Sequence, residues 1–174
     1  VGFDWNQLTF TPAANGNGSP YGSFTFQVQD DDGTANGGID LDPTPNTITF
    51  NVIPVNDPPA GKDNTITLSE DNVHTFTAAD FGFSDPDDTP AHQFKALLLK
   101  TLPANGVLQL YGGEVSASTT IPMADLGQLT FTPAANANGS PYASFTFQVQ
   151  DDDGTANGGL DTDPTPTTLT LNVT

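Results

Sequence analysis

The chain has 174 residues, a formal net charge of −18, three basic residues and no cysteine. That balance makes nucleic acid and anionic membranes poor partners, since nothing could neutralise phosphates, and the lack of cysteine excludes a disulfide scaffold. Twelve Phe in a 35% hydrophobic composition can supply a core. No run approaches the ~18 consecutive apolar residues of a membrane span, and no basic-then-apolar export signal is present, so any export signal is expected elsewhere in a parent protein.

The acidity is of one kind. Glu occurs only at Glu70 and Glu114, Arg is absent, and the remaining acidic residues are Asp. Asp on loops offers the short, all-oxygen ligation that hard cations take. The plain alternative is that the charge only keeps a surface protein soluble.

An internal repeat dominates the chain. Residues 8–53 align without a gap onto 129–174, an offset of 121, with 38 of 46 positions identical. Copies this close point to recent duplication within an array. The frame predicts that 1–53 is the C-terminal half of a unit and that 54–174 is one complete unit. Half a sandwich cannot bury its sheet face alone, so 1–53 needs a partner. A missing upstream segment and a neighbouring copy donating strands both remain open.

Along the complete unit, a connector comes first. Ile53-Pro54-Val55-Asn56-Asp57-Pro58-Pro59 carries prolines that restrict the backbone and remove donors, so it is expected to be short and stiff. Alternating runs then predict strands at 65–68, 74–77, 94–101, 107–110, 129–132, 145–150 and 168–173. Ala78-Ala79-Asp80-Phe81 is expected to form a single helical turn, with no longer helix anywhere. In Phe145-Thr-Phe-Gln-Val-Gln150 the apolar residues fall on one face, the pattern of an antiparallel sheet with one face in a core. Seven strands in ~120 residues without a helical period predict an all-β fold, a Greek-key seven-stranded β-sandwich of immunoglobulin/cadherin-like type.

On that sandwich the second and sixth strands both end at the pole where the domain begins. The first of these ends runs into Ser84-Asp85-Pro86-Asp87-Asp88 and the second into Asp151-Asp152-Asp153-Gly154, while Asn56-Asp57 of the connector sits at the same pole. Two like charges ~4 Å apart repel by about 1 kcal/mol even in bulk water. A cluster with so much oxygen suits calcium, which takes six to eight oxygen ligands, and not zinc, which prefers Cys and His. The contrasting reading is a turn with solvated charge.

These residues carry a resemblance. Thr67-Leu68-Ser69-Glu70-Asp71, Asp85-x-Asp87, Val149-Gln150-Asp151 and a Val-Asn-Asp-Pro-Pro connector resemble the cadherin plan. More closely, DFGFSDPDDTPAHQFK, LPANGVLQLYG and LTFTPAANANGSPYASFTFQVQDDDG resemble the cadherin-like tandem repeats of large RTX-type bacterial surface adhesins. The resemblance covers essentially the whole chain. It implies Ca2+ between successive domains, with Asn56 and Asp57 as linker ligands, Asp85 and Asp87 as the Asp-x-Asp pair and Asp151 as the late Asp. Glu70 matches the Glu that faces the following junction, at the other pole. Asp153 joins the metal set through its place in the Asp151–Asp153 cluster. The Asp-Arg-Glu motif of animal cadherins is missing, and Asn136-Ala137-Asn138-Gly139 stands in its place.

Other motifs fall away. DDDG lacks the spacing and terminal Glu of an EF-hand loop, and the glycine-rich nonapeptide of RTX β-rolls is absent. His74 and His92 are read as surface or strand histidines without ligand partners. A glycosidase would need an aromatic-lined cleft between its carboxylates, and Trp5 is the only tryptophan. Asn17-Gly18-Ser19 and Asn138-Gly139-Ser140 match the glycosylation triplet but are explained as Asn-Gly turns. The expectation is therefore no enzyme. The chain reads as a calcium-binding extender repeat of an extracellular adhesin on a bacterial surface, whose partners are neighbouring repeats or copies. The alternatives are an adhesive module for a surface glycan or protein receptor, and a filament subunit assembled by strand exchange through 1–53.

Overall fold

The computed structural model describes residues 7–174. The chain divides into two compact units, Val1–Pro54 and Val55–Thr174. The first is built on one antiparallel pair, β1 (Gly18–Phe26) and β2 (Asn46–Val52), with Phe24 opposite Ile48 and a register shift between Gly18 and Gly22.

The second unit is a β-sandwich. It contains β3 (Asn64–Leu68), β4 (His74–Thr75), the helical turn α1 (Ala78–Phe81), β5 (Phe94–Leu99), β6 (Val107–Leu110), β7 (Gly113–Glu114), β8 (Thr120–Pro122), β9 (Leu129–Thr132), β10 (Gly139–Asp151) and β11 (Thr167–Val173). One sheet runs β3-β11-β10-β5-β8 and the other β4-β9-β6-β7. Every pairing is antiparallel except β11 with β3, where Leu171 lies beside Ile66.

Alternation decides which face is buried. Phe145, Phe147 and Val149 on β10 and Leu169, Leu171 and Val173 on β11 point into the core, while their Thr, Gln and Asn neighbours are partly or fully exposed. Edge-on aromatic contacts join the core: Phe76 meets Phe145 at 5.9 Å and Phe81 meets Phe147 at 4.9 Å between ring centroids. Such pairs add to what area burial supplies.

The seven expected strands are present, and two short ones, β7 and β8, join them. A 3-10 segment over Met123–Gln128 is longer than the one helical turn that was expected. Strand β8 and the 3-10 segment each have a single fully buried side chain, Ile121 and Leu126 respectively, and β7 has none, too little to register as a period. Strand β10 starts six residues before the expected 145, because Gly139-Ser-Pro-Tyr142 reads as turn chemistry while in fact forming the shifted start of the strand.

Two local features bring the connector to the pole. The α1 turn opens with the Thr77 backbone N–H donating to Asp80 (2.8 Å). It closes at Gly82, whose φ of 58° and whose Cα, where an added Cβ would lie 2.6 Å from Lys62 Cβ, leave room only for glycine. Ala60 and Ser84 then exchange backbone hydrogen bonds of 2.8 and 2.9 Å, which holds the segment carrying Asp57 against the segment carrying Asp85.

Phe147→Ala should destabilise the Val55–Thr174 unit by about 3–5 kcal/mol, as large core truncations do. The repeat-equivalent Phe26→Ala, at a side chain already 36% exposed, should leave that unit's denaturant midpoint unchanged. Urea titrations of both variants check the pair.

Candidate metal centre

Asp151 ends β10 in the same inward phase as Phe145, Phe147 and Val149, so the alternation that builds the core carries a carboxylate inside. An unpaired buried carboxylate is prohibitive, and the connector answers it. Asn56 Nδ2 donates to both oxygens of Asp151 (3.1 and 3.2 Å) and to the carbonyls of Gly154 (3.0 Å) and Leu160 (2.9 Å). The Asp153 backbone N–H adds a further bond to Asp151 Oδ1 (3.0 Å). Gly159 fits here because an added Cβ would lie 3.0 Å from the Asn56 nitrogen and 3.1 Å from its carbonyl oxygen.

The second part of the pole is a set of three. Asp85, Asp88 and His92 bring one potential ligand atom each to within 4.8 Å of one another. The Asp85 side chain is fully buried; its Oδ2 accepts from the His92 backbone N–H (2.7 Å), and its Oδ1 is buried with no hydrogen-bond partner. His92 Nδ1 lies 3.4 Å from Asp85 Oδ2 and 3.5 Å from Asp88 Oδ2, while Nε2 faces the exposed Asp153 carboxylate at 3.9 Å. Asp88 Oδ2 also accepts from the Asp57 backbone N–H (2.9 Å), and Asp152 Oδ1 accepts from the Gln93 backbone N–H (2.8 Å). A second buried oxygen without a partner, Asn56 Oδ1, belongs to the connector.

Burial is the main force that pushes the Asp88 pKa above its ordinary value, and the Asp85 and Asp57 carboxylates push the same way. The Asp57 backbone N–H and His92 oppose them without cancelling the rise. The folded protein thus holds this proton more tightly than the unfolded chain does. The Asp88 contribution to stability is full below the ordinary carboxylate pKa and is lost as pH rises through the elevated one.

Of the residues singled out from sequence, Asn56, Asp57, Asp85, Asp151 and Asp153 come together at this pole. Asp87 is exposed and lies outside the close set, where Asp88 stands instead. Glu70 sits past the far end of β3, its backbone N–H bonded to the Thr174 carbonyl (2.8 Å), at the opposite pole. His92, expected to be a surface or strand histidine without partners, faces three carboxylates. Its signal was weak: with Pro86 and Pro90 interrupting the run 84–92, no alternation tells which of Asp87, Asp88 and His92 turns inward. Asp151 accepts hydrogen bonds from the Asn56 side chain and the Asp153 backbone N–H, which ties the connector to the end of β10.

Two face-to-face sheets, with β4 and β9 on one and β5, β10 and β11 on the other, define an immunoglobulin-like β-sandwich. The family model of the bacterial Ig domain matches residues 56–163, and the chain belongs to that family. Domains of this kind are typically non-enzymatic structural modules and usually stand in surface proteins. The match supports an Ig-like repeat and does not extend to the narrower cadherin-like resemblance. No curated protein and no solved structure matches the chain significantly. Among the described residues no helix is long and apolar enough to cross a membrane.

Asn56→Ala should cost roughly 3 kcal/mol, because it strips the buried Asp151 carboxylate of its side-chain donor. Asn56→Asp should cost at least as much by setting two carboxylates together. Thermal melts of both variants in chelator check this without involving any cation.

Proposed function

We propose that the Val55–Thr174 unit is an extender repeat of a bacterial surface adhesin that binds calcium at the pole where the chain enters the sandwich. The carrying observation is the Asp85 carboxylate, wholly buried with Oδ1 unpartnered beside the carboxylate of Asp88. A buried charged oxygen without a partner is costly, and a divalent cation is the simplest group that would satisfy it while cancelling the repulsion. Asp57 and Asp153 offer further oxygens nearby, and Asn56 on the connector carries an unpartnered buried Oδ1. That donor chemistry suits calcium, which tolerates irregular sets of carboxylate and amide oxygens.

The physical effect follows from where the ligands sit. Asn56 and Asp57 carry the chain into the sandwich, Asp85 and Asp88 follow α1, and Asp153 follows β10. A cation held by all three segments would pin the entry segment to the domain. In an array of such repeats, each entry would be stiffened in the same way. At ten times its Kd, calcium would add about 1.4 kcal/mol to the folded state. Sites of ~10⁻⁴–10⁻³ M, common in extracellular modules, would fill outside the cell and empty inside it. Near-identity of the two copies also favours a spacer over a binding tip.

One observation supports a second reading. An Asp-Asp-His donor set is also one that transition metals take, with imidazole as the softer ligand. Melting the full chain in chelator, calcium, magnesium and zinc separates the readings. Calcium, and not magnesium, should raise the melting point by about 4–6 °C, and Asp85→Asn should remove most of the increment. Asp88→Asn should raise the melting point in chelator by relieving repulsion, yet shrink the calcium response. A larger zinc response that disappears in His92→Gln would favour the second reading, and no response to any ion would overturn both.

A further inference from the structure

The first unit repeats the β10–β11 hairpin in both sequence and structure. The register matches residue for residue: Phe24 pairs with Ile48 as Phe145 pairs with Leu169, and the register shift at Gly18–Gly22 recurs at Gly139–Ala143. The Tyr21 hydroxyl accepts from the Ala13 backbone N–H (2.9 Å) as the Tyr142 hydroxyl accepts from that of Ala134 (3.1 Å). Asp42 Oδ1 takes the Thr44 backbone N–H (3.0 Å) as Asp163 Oδ1 takes that of Thr165 (2.9 Å).

Burial does not repeat. Phe24 is 37% exposed and its equivalent Phe145 1%; Phe26 is 36% and Phe147 0%; Val28 is 57% and Val149 0%; Phe10 is 43% and Phe131 0%. Of these, Phe10 and Phe24 line an apolar trough of about 340 Å³ with Leu8, Thr9, Ile48 and Phe50. Two of its rings, Phe10 and Phe50, stack with centroids 4.0 Å apart. Contiguous apolar surface of this sort marks an interaction site.

We infer that this face is a docking surface for the N-terminal half of a repeat, of the character of residues 55–121, joined ahead of the first unit in the same polypeptide. The occupant is identified by the second unit, where that stretch completes the equivalent hairpin: Phe76, Phe81 and Leu108 join its core from outside its sheet, while Leu97, Leu99 and Ile121 on β5 and β8 continue the sheet itself. The facing side chains are conserved in kind between the two hairpins, with Phe10, Phe24, Phe26 and Val28 identical to their equivalents. The same half-repeat would therefore pack on either. Exchange with a second copy is the weaker source. That copy would have to lift its own 55–121 from 129–174 and would bare as much apolar surface as it covered. The inference is independent of any cation.

The test is an extended protein in which a duplicate of residues 55–121 precedes Val1 of the full chain. Hydrogen exchange should slow at least 100-fold in β1 and β2, toward the protection of β10 and β11. Emission from an apolar-surface dye, strong for the unextended chain, should fall severalfold. An extension carrying Leu97→Asp and Leu99→Asp in the duplicate should restore the dye emission while β10 and β11 stay protected. Unchanged exchange and dye binding in the first extension would overturn the inference. Sedimentation of the unextended chain provides a second check: concentration-dependent association that removes the dye emission would overturn it in favour of a second copy.

Discussion

A sheet with one apolar face has to cover it, and the rest of the second unit is arranged around that requirement. The β10–β11 hairpin presents Phe145, Phe147, Val149, Leu169 and Leu171 on one side, each buried to 1% exposure or less. Each large side chain of this kind contributes about 1.5–3 kcal/mol when removed from water. The facing sheet supplies Leu129 and Phe131 from β9, just before the hairpin, and Leu108 from β6, much earlier, with Phe76 beside β4. The fold therefore depends on contacts of long sequence separation, and the hairpin alone is only half of a stable object.

The same periodicity that fills the core creates the polar problem at its edge. Residues 145, 147, 149 and 151 share a phase, so the last inward position of β10 belongs to Asp151. Its burial obliges the connector to return Asn56 to the strand end, and the Asn56 backbone carbonyl then accepts from Leu160 (3.0 Å). Once Asn56 is fixed, Asp57 cannot be elsewhere, and its backbone N–H reaches Asp88. The acidic pole is thus a consequence of strand register, and its geometry is inherited from the core.

Much of this was legible before any coordinates. The strict alternation in FTFQVQ and TLTLNV located β10 and β11 and their inward faces, and the spacing of turn residues separated the other strands. Convergence of the connector, the run after α1 and the run after β10 followed from strand direction alone. What escaped had physical reasons. Strands β7 and β8 carry two and three residues, below the length at which alternation can register. The choice of Asp88 over Asp87 depends on backbone torsion within a proline-flanked loop, where period gives no guidance. His92 escaped because its partners are carboxylates 4 and 7 residues back and a third 61 residues on, none of which forms a familiar ligand spacing.

The size of the terms decides what kind of effect a cation at this pole would have. Each pair of carboxylates ~4 Å apart costs about 1 kcal/mol in water and a few kcal/mol where partly shielded from it. The apolar core, by contrast, sums over a dozen fully buried side chains. Most of the unit's burial is thus apolar, unlike small domains in which metal binding supplies most of the folding free energy. Binding would act on the polar run between α1 and β5, which is held by hydrogen bonds to Asp85, Asp88 and Asp152. Local openings of that run cost less than global unfolding, so the gain from neutralising its carboxylates appears first as local rigidity. For a domain whose entry segment is bonded to that same run, local rigidity is mechanical rigidity.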